Sequence, residues 1–312
     1  MVQTVGDRPF ADPIREGESY PVPLRRKVGA GDREKGFIRI SCGRWYSVFY
    51  GLKESSVDIP SGKLHYVAFG KGCKNLIIIQ GLNVRDLQGA GASLALMYRL
   101  FAKDYRVYFF DRRANVREGL TNWDLAEDIY CAMEALHIKS ADVLGVSQGG
   151  MIAMALALEH PKCIHKLVLG VTAARVNENI KSVVSKWIHC ALHQDYVTIN
   201  QDTFSLMYTE TYLRKYRFWM PLMIRMIKPK DFHRFAILAS AILDFDCYDR
   251  LQEIQCPVLV IGGEKDMITT GKASVEIADK LDCRIHMYPE YGHAAYDEAK
   301  DFNRIIYEFF SE

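Results

Sequence analysis

The sequence contains no apolar run long enough to cross a membrane. The apolar stretch from Phe235 to Leu243 has nine residues including Ser240, whereas a spanning helix needs about 20. A charge imbalance is also missing, because 40 Lys and Arg face 38 Asp and Glu, which leaves a net charge of +2. The charge balance therefore gives no reason to expect a nucleic acid or an anionic membrane surface as a partner.

Paired cysteines are missing as well. The 8 cysteines stand singly, with no Cys-x-x-Cys pair, so a zinc cluster or a thioredoxin-like motif is not indicated. The first 35 residues lack the apolar core of a signal peptide and carry acidic residues, which argues against secretion and mitochondrial import. We expect a cytoplasmic protein with reduced thiols and without a metal or redox cofactor.

The amino-terminal part of the chain differs from the rest in composition. Residues 1–35 contain Pro9, Pro13, Pro21 and Pro23 within a dense mixture of charges. Such a segment buries too little apolar surface to offset the entropy lost on ordering. We predict that residues 1–50 form an N-terminal extension that is flexible over 1–35.

The remaining chain alternates short apolar runs with amphipathic segments. The runs are Leu64–Phe69, Leu76–Ile79, Val107–Phe110, Val143–Val146, Leu167–Val171, Val258–Ile261 and Ile285–Tyr288. The segments between them include Ala92–Lys103, Trp123–Leu136, Gly150–His160, Lys272–Leu281 and Ala295–Phe310. Continuous apolar runs are typical of parallel strands covered on both faces. The pattern predicts an α/β fold with a doubly wound, mostly parallel central sheet.

One long segment interrupts this alternation. Residues 175–249 contain no convincing strand and read as several helices rich in Met and aromatic residues. This is too long for an ordinary crossover between two strands of one sheet. We predict a helical cap over 175–249, inserted in a core made of residues 51–174 and 250–312.

The clearest chemical signal is the segment Gly145-Val146-Ser147-Gln148-Gly149-Gly150, between a predicted strand and a predicted helix. This is the pattern of a nucleophile elbow. Small residues two before and two after the serine let strand and helix approach without a side-chain clash. The helix then presents its first N–H groups to an oxyanion formed at Ser147.

A carboxylate and a histidine follow in the chain order that such a serine requires. Asp266 lies in the loop after the strand Val258–Ile261, and His293 lies in the loop after the next strand. The carboxyl ends of parallel strands meet at one edge of a sheet, so these loops can converge on Ser147. Glu264, in the same loop as Asp266, is the alternative acid, and we favour Asp266.

These motifs make the chain from about residue 57 to 310 resemble the α/β-hydrolase fold family in its cap-bearing form. The resemblance implies that the backbone N–H groups of Leu82 and Gln148 form the oxyanion hole. The sequence departs from the family at Gln80, where relatives usually have histidine. It departs again at Asp111-Arg112-Arg113-Ala114-Asn115, where relatives often carry Asp-x-Arg-Gly-x-Gly.

Candidate substrate-binding residues follow from the same loops and from the cap. Arg85, Arg112 and Arg113 follow central strands, and the planar fork of arginine suits a carboxylate or phosphate. We favour the simpler interpretation that they are solvated loop arginines, and Arg113 matches a structural position of the family. Gln80 and the cap residue Trp219 complete the candidates. The cap aromatics suggest an apolar acyl pocket, although an ordinary cap core explains most of them.

Three functions are compatible with these residues. The first is a serine hydrolase that cleaves a small carboxylic ester, lactone or thioester, with Ser147 as nucleophile and His293 as general base and acid. The second is a carbon–carbon bond hydrolase or lyase that acts on an acidic substrate. The third is a ligand-binding, receptor-like member that works by cap closure. We favour the first, with a small-molecule substrate that has an apolar acyl part.

Overall fold

The computed structural model describes residues 49 and 51–312 of the chain. The predicted N-terminal extension, residues 1–50, therefore lies outside the described residues except at Phe49. Within the described part of the chain, no helix combines the length and the apolar character needed to cross a membrane.

The described residues contain one sheet of eight strands. The strands are β1 (Lys53–Ile59), β2 (Gly62–Phe69), β3 (Lys74–Ile79), β4 (Tyr105–Phe110), β5 (Ala141–Val146), β6 (Ile164–Gly170), β7 (Val258–Gly263) and β8 (Arg284–Tyr288). Their spatial order is β1-β2-β4-β3-β5-β6-β7-β8. The β1·β2 and β2·β4 pairs are antiparallel, and the other five pairs are parallel. The predicted doubly wound, mostly parallel sheet is confirmed.

Strand β1 is the one strand that the apolar pattern does not predict. Most of its side chains are exposed or half-buried, and only Ile59 at its end is buried. A tight turn joins it to β2, so that Ile59 pairs with Gly62 and Lys53 pairs with Ala68. An edge strand with polar residues on an open surface gives no apolar run.

Eleven α-helices accompany the sheet in the described part of the chain. They are α1 (Gly91–Met97), α2 (Asn122–Ala135), α3 (Gln148–Glu159), α4 (Glu178–Leu192), α5 (Tyr196–Met207), α6 (Glu210–Tyr216), α7 (Met220–Met226), α8 (Phe232–Leu243), α9 (Gly271–Leu281), α10 (Ala295–Glu298) and α11 (Phe302–Ser311). Five of them, α4 to α8, lie between β6 and β7. The division of the chain into a core and a cap at 175–249 stays our proposal.

The carboxyl-terminal helical segment differs from its prediction. One helix is expected over Ala295–Phe310, but α10 ends at Glu298 and α11 begins at Phe302. Ala299 adopts an extended backbone, with φ −78° and ψ 116°, and this interrupts the helix. Neither proline nor glycine marks this break in the sequence.

The central strands contribute to a separate apolar core on each face of the sheet. Alternate residues of a strand point to opposite faces. In β3, Ile77 and Ile79 belong to the core that contains residues of α2 and α3, whereas Leu76 and Ile78 belong to the core with α1 and α11. Burial on both faces explains why the strand reads as a continuous apolar run.

Candidate active site

The candidate residues lie on loops at one edge of the sheet. Strands β3, β5, β7 and β8 run parallel, so their carboxyl ends lie at the same edge. The loop of Gln80 and Leu82 follows β3, Ser147 follows β5, Asp266 follows β7, and His293 follows β8. Residues that are far apart in the sequence are thereby brought to one place.

Ser147 occupies a strained turn between β5 and α3. Its backbone has φ 55° and ψ −125°, a conformation that residues with a side chain rarely adopt. The turn is held by Ser147 N, which donates to Gly170 O at 2.9 Å, and by Thr172 Oγ1, which donates to Ser147 O at 2.7 Å. The Ser147 hydroxyl does not cap the helix, although it stands at the N-cap position. It is therefore available for another hydrogen bond.

Two glycines make this turn sterically feasible. A Cβ atom on Gly145 would lie 2.5 Å from Gly149 O, and a Cβ on Gly149 would lie 1.9 Å from Ile79 O. Both clashes are with backbone atoms, which cannot move aside without shifting β3 or α3. The spacing of the elbow motif thus has a packing cause in this chain.

We expect Gly149→Ala to destabilise the protein by about 3 kcal/mol or more, because the new methyl group clashes with the backbone of β3. Urea denaturation followed by circular dichroism measures this loss. Gly170→Ala is the matched control, since its Cβ would first meet the Phe302 side chain at 3.3 Å. Equal stabilities of the two variants would contradict the packing account.

A hydrogen-bonded chain connects Ser147, His293 and Asp266. Ser147 Oγ lies 2.9 Å from His293 Nε2, and His293 Nδ1 lies 2.8 Å from Asp266 Oδ2. Both partners are buried, with 3% of His293 and 7% of Asp266 exposed. When His293 Nδ1 carries a proton and donates a hydrogen bond to Asp266, Nε2 is unprotonated and can accept the proton of the Ser147 hydroxyl.

The Asp266 carboxylate is fixed by its own loop. Its Oδ1 accepts hydrogen bonds from the backbone N–H groups of Ile268 at 2.7 Å and Thr269 at 2.9 Å. Its Oδ2 also accepts from the Thr269 hydroxyl at 2.7 Å. Burial alone would raise the pKa of Asp266, but the neighbouring His293 and these hydrogen bonds outweigh it and hold the pKa below its usual value. Glu264, the alternative acid, is exposed.

Two backbone N–H groups lie near the serine with no protein acceptor among the described residues. They belong to Leu82 and to Gln148, the first residue of α3. The loop of Leu82 passes close to the nucleophile, because a Cβ on Gly81 would lie 3.1 Å from Ser147 Cβ. Such N–H groups can stabilise negative charge on a carbonyl oxygen bound at Ser147.

A cavity of about 330 Å³ opens beside Ser147 and His293. None of the described residues that line it is Lys, Arg, Asp or Glu. Its walls include apolar side chains from the strands, from α3 and from the helices between β6 and β7, among them Val146, Met151, Ile180, Val184, Trp187 and Phe204. Two buried polar atoms, Gln148 Oε1 and Trp187 Nε1, have no partner among the described residues. The cavity therefore suits an apolar group with few polar atoms.

The candidate substrate-binding residues divide into two groups. Gln80 lines the cavity at Ser147, and Arg85 lines a second cavity next to it. Arg113 lines neither, because its guanidinium forms two hydrogen bonds with Asp128, at 2.6 and 2.8 Å. Trp219 is 64% exposed and also lines neither cavity. The structure thus places Arg113 in an internal ion pair and Trp219 on the surface, and neither lines the cavity at Ser147.

Several residues hold the site in place in a role that the sequence did not predict. Thr269 donates to Asp266, and Asn179 Nδ2 donates to Ile268 O at 2.8 Å and so anchors the same loop. Arg112 Nη2 donates to Gln80 O at 2.6 Å. The spacing Asp266 to Thr269 is a signal that could have been used, since an aspartate often accepts a bond from the N–H three residues later. The other two contacts join segments distant in sequence and leave no such signal.

Comparison with known proteins identifies the family of the chain. A family model described as serine aminopeptidase, S33, matches residues 76–300. The chain is 25% identical over 272 residues to the serine hydrolase BPHL of Mus musculus, covering 83% of this chain and 86% of the relative. It is 24% identical to 2-hydroxy-6-oxo-6-phenylhexa-2,4-dienoate hydrolase of Comamonas testosteroni, covering 82% of this chain and 94% of the relative.

A solved structure shows the same fold. The enol-lactonase from Burkholderia xenovorans LB400 superposes with a TM-score of 0.73 at 24% sequence identity. The superposition covers 83% of this chain and 100% of the enol-lactonase chain. At this level of identity the likeness concerns the fold alone, and the bond that is cleaved must be argued from the site.

Proposed function

The chain belongs to the serine aminopeptidase S33 family of α/β hydrolases, and we propose that it cleaves a small carboxylic ester, lactone or thioester through an acyl-enzyme. Family membership makes the protein a hydrolase. The choice of bond rests on the residues around Ser147.

The observation that carries the proposal is the buried chain of hydrogen bonds from Ser147 Oγ through His293 to Asp266. In the first step Oγ attacks the substrate carbonyl carbon while its proton passes to His293 Nε2. The Leu82 and Gln148 N–H groups stabilise the oxyanion. His293 then returns the proton to the leaving oxygen or sulfur as the bond to the acyl group breaks.

The same groups hydrolyse the acyl-enzyme, with water in place of the serine hydroxyl. Water attacks the acyl carbon and gives one proton to His293 Nε2, which protonates Ser147 Oγ as the carboxylic acid departs. Asp266 orients the imidazole ring and stabilises its positive charge in both halves of the cycle. No other group is required to balance the reaction.

The lining of the cavity at Ser147 favours an ester over an acidic diketone or enol acid. If a carbon–carbon bond hydrolase or lyase acts on a substrate whose acid lies next to the bond that is cleaved, it needs a cation inside this cavity. The described lining of this cavity contains neither Lys nor Arg, and an uncompensated carboxylate in such a place is strongly disfavoured. An apolar acyl group gains free energy there by leaving water.

Steady-state hydrolysis of 4-nitrophenyl esters, from acetate to decanoate, tests the proposal. We expect turnover with a maximum kcat/KM at an intermediate acyl length, because a cavity of about 330 Å³ accepts a limited chain. Absence of turnover for every ester and lactone would contradict it. Strong thermal stabilisation by a ligand without chemical change would instead support the receptor-like alternative.

A substitution in the cavity wall should change the preferred acyl length. Val184 is 2% exposed and lies on α4 in the lining of the cavity. We expect Val184→Phe to lower kcat/KM for the longest accepted ester by about tenfold or more, with a much smaller effect on acetate, because the ring occupies space of the acyl chain. Val183→Phe, at a half-buried neighbouring position that does not line the cavity, is the control. Equal shifts of the length profile in both variants would contradict the role of Val184 in the cavity wall.

A further inference from the structure

A second cavity of about 420 Å³ adjoins the one at Ser147. The two share Asn83, Val84 and Phe235 as lining residues. The second differs in chemistry, because Lys63, Arg85, Arg112, Lys230 and Arg234 all line it. A substrate that extends past Asn83 and Val84 would pass from an apolar region into a cationic one.

The acidic side chains of this second cavity already have partners. Asp86 Oδ2 lies 3.0 Å from Lys230 Nζ. Asp111 accepts hydrogen bonds from Leu87 N and Arg112 N and lies 3.9 Å from Arg234 Nη2. Asp231 accepts a hydrogen bond from Arg234 N at the start of α8.

Two arginines of the second cavity are left without a carboxylate partner. Neither Arg85 nor Arg112 forms an ion pair with a carboxylate of the described residues. Arg85 is exposed at the rim, whereas Arg112 uses Nη2 on the backbone oxygen of Gln80. The remaining N–H groups of both side chains stay available to a ligand.

The charge of Arg112 is poorly compensated by the protein. Burial lowers the pKa of its guanidinium to about 10, with Asp111 opposing this shift and Arg234 adding to it. The group is still charged at neutral pH. A partly buried cation in a concave recess, whose charge is only partly compensated by Asp111 and Asp128, attracts anions.

We propose that the second cavity binds an acidic group of the substrate, a carboxylate or a phosphate, held by Arg85 and Arg112 while the ester group lies at Ser147. The planar guanidinium can bind either anion through two parallel hydrogen bonds. This inference rests on the proposed ester hydrolysis and narrows its substrate class to esters that carry an acid remote from the bond that is cleaved. An acid that extends into the second cavity also explains why arginines lie next to an apolar cavity at Ser147.

Matched pairs of esters test the proposal by kinetics. In the first pair, 4-acetoxybenzoate and its methyl ester, the acid is on the alcohol side of the ester. In the second pair, monophenyl adipate and phenyl hexanoate, the acid is on the acyl side. A further substrate, 4-acetoxyphenyl phosphate, tests whether a phosphate is accepted. We expect kcat/KM for the acidic member to exceed that for the neutral member by about tenfold in at least one pair. Preference for the neutral member, or none, in every pair would overturn the inference.

Substitution locates the preference within the second cavity. Arg85→Gln should reduce the ratio of acidic to neutral kcat/KM by about tenfold, because a charge-assisted hydrogen bond is lost. Arg117→Gln is the control, since Arg117 is an exposed arginine that lines neither cavity. An unchanged ratio in Arg85→Gln, or an equal loss in both variants, would assign the preference elsewhere and overturn the proposal.

Binding measurements separate this inference from the proposed reaction. Calorimetric titration of the Ser147→Ala protein with adipate, 4-hydroxybenzoate and inorganic phosphate reports anion binding without turnover. We expect saturable binding of at least one of them that weakens in the Ser147→Ala, Arg85→Gln double variant and at high salt. Such binding would support the anion site even if no ester is hydrolysed. Its absence, with esters hydrolysed normally, would overturn the anion site alone.

Discussion

Ser147→Ala should lower kcat for ester hydrolysis by roughly 10⁴-fold or more, because it removes the atom that attacks the carbonyl carbon. The hydroxyl does not cap α3 in this structure, so its loss leaves the helix start intact. Residual hydrolysis then reflects only substrate binding and oxyanion stabilisation. Stopped-flow or steady-state hydrolysis of the preferred 4-nitrophenyl ester measures the loss.

Two further serine variants make this result specific. Ser140→Ala removes an exposed hydroxyl elsewhere, and its kcat should match that of the unmodified protein. Ser147→Gly should be as inactive as Ser147→Ala yet more stable by about 1 kcal/mol, because glycine tolerates φ 55° and ψ −125° without strain. If Ser147→Ala retained a tenth or more of the activity, Ser147 could not be the nucleophile.

Asp266→Asn should lower kcat by about 10⁴-fold, although the side chain keeps its shape. An amide nitrogen placed at Oδ2 would favour the tautomer of His293 that carries its proton on Nε2, which cannot accept the Ser147 proton. An amide nitrogen placed at Oδ1 would face the N–H groups of Ile268 and Thr269. The same ester assay, together with a urea denaturation curve, measures both consequences.

Glu264→Gln is the matched control for this carboxylate. Glu264 lies two residues earlier in the same loop and is exposed, so its neutralisation should leave kcat within about twofold. Equal losses in the two variants would show that general disturbance of the loop, and not the Asp266 carboxylate, controls activity. A loss of kcat in Glu264→Gln alone would indicate that Glu264, and not Asp266, is the carboxylate that acts with His293.

The lowered pKa of Asp266 also predicts how stability depends on pH. A carboxylate whose pKa is lower in the folded protein contributes stability above its unfolded pKa of about 3.9. That contribution is lost as the pH falls through the lowered folded value. Asp266→Asn should therefore lose stability relative to the unmodified protein at pH 7, and the difference should shrink in acid.

The sheet and the order of the catalytic candidates could be predicted from the sequence for a physical reason. Strands such as β3 and β7 are covered on both faces, so their sequences are continuous apolar runs. Once the strand ends are located, loop residues such as Ser147 and His293 are assigned to one edge by topology alone. Strand β1 could not be predicted in this way because its side chains are mostly exposed or half-buried and give no apolar run.

Side-chain partners formed across the fold could not be predicted in this way. Arg113 and Arg112 are neighbours in sequence, yet the first pairs with Asp128 on α2 and the second bonds the backbone of Gln80. Which of two adjacent side chains turns toward a helix and which toward a loop depends on the twist and packing of β4. The exposure of Trp219 likewise depends on how α7 packs, and its sequence neighbourhood looks like that of a buried aromatic.

The most direct test of the account is covalent labelling of the protein with a fluorophosphonate, followed by intact mass measurement and tandem mass spectrometry of the peptides. We expect one phosphonyl group per chain, located on Ser147, with no labelling of Ser147→Ala. Labelling that is absent, or that persists on another residue in Ser147→Ala, would contradict it.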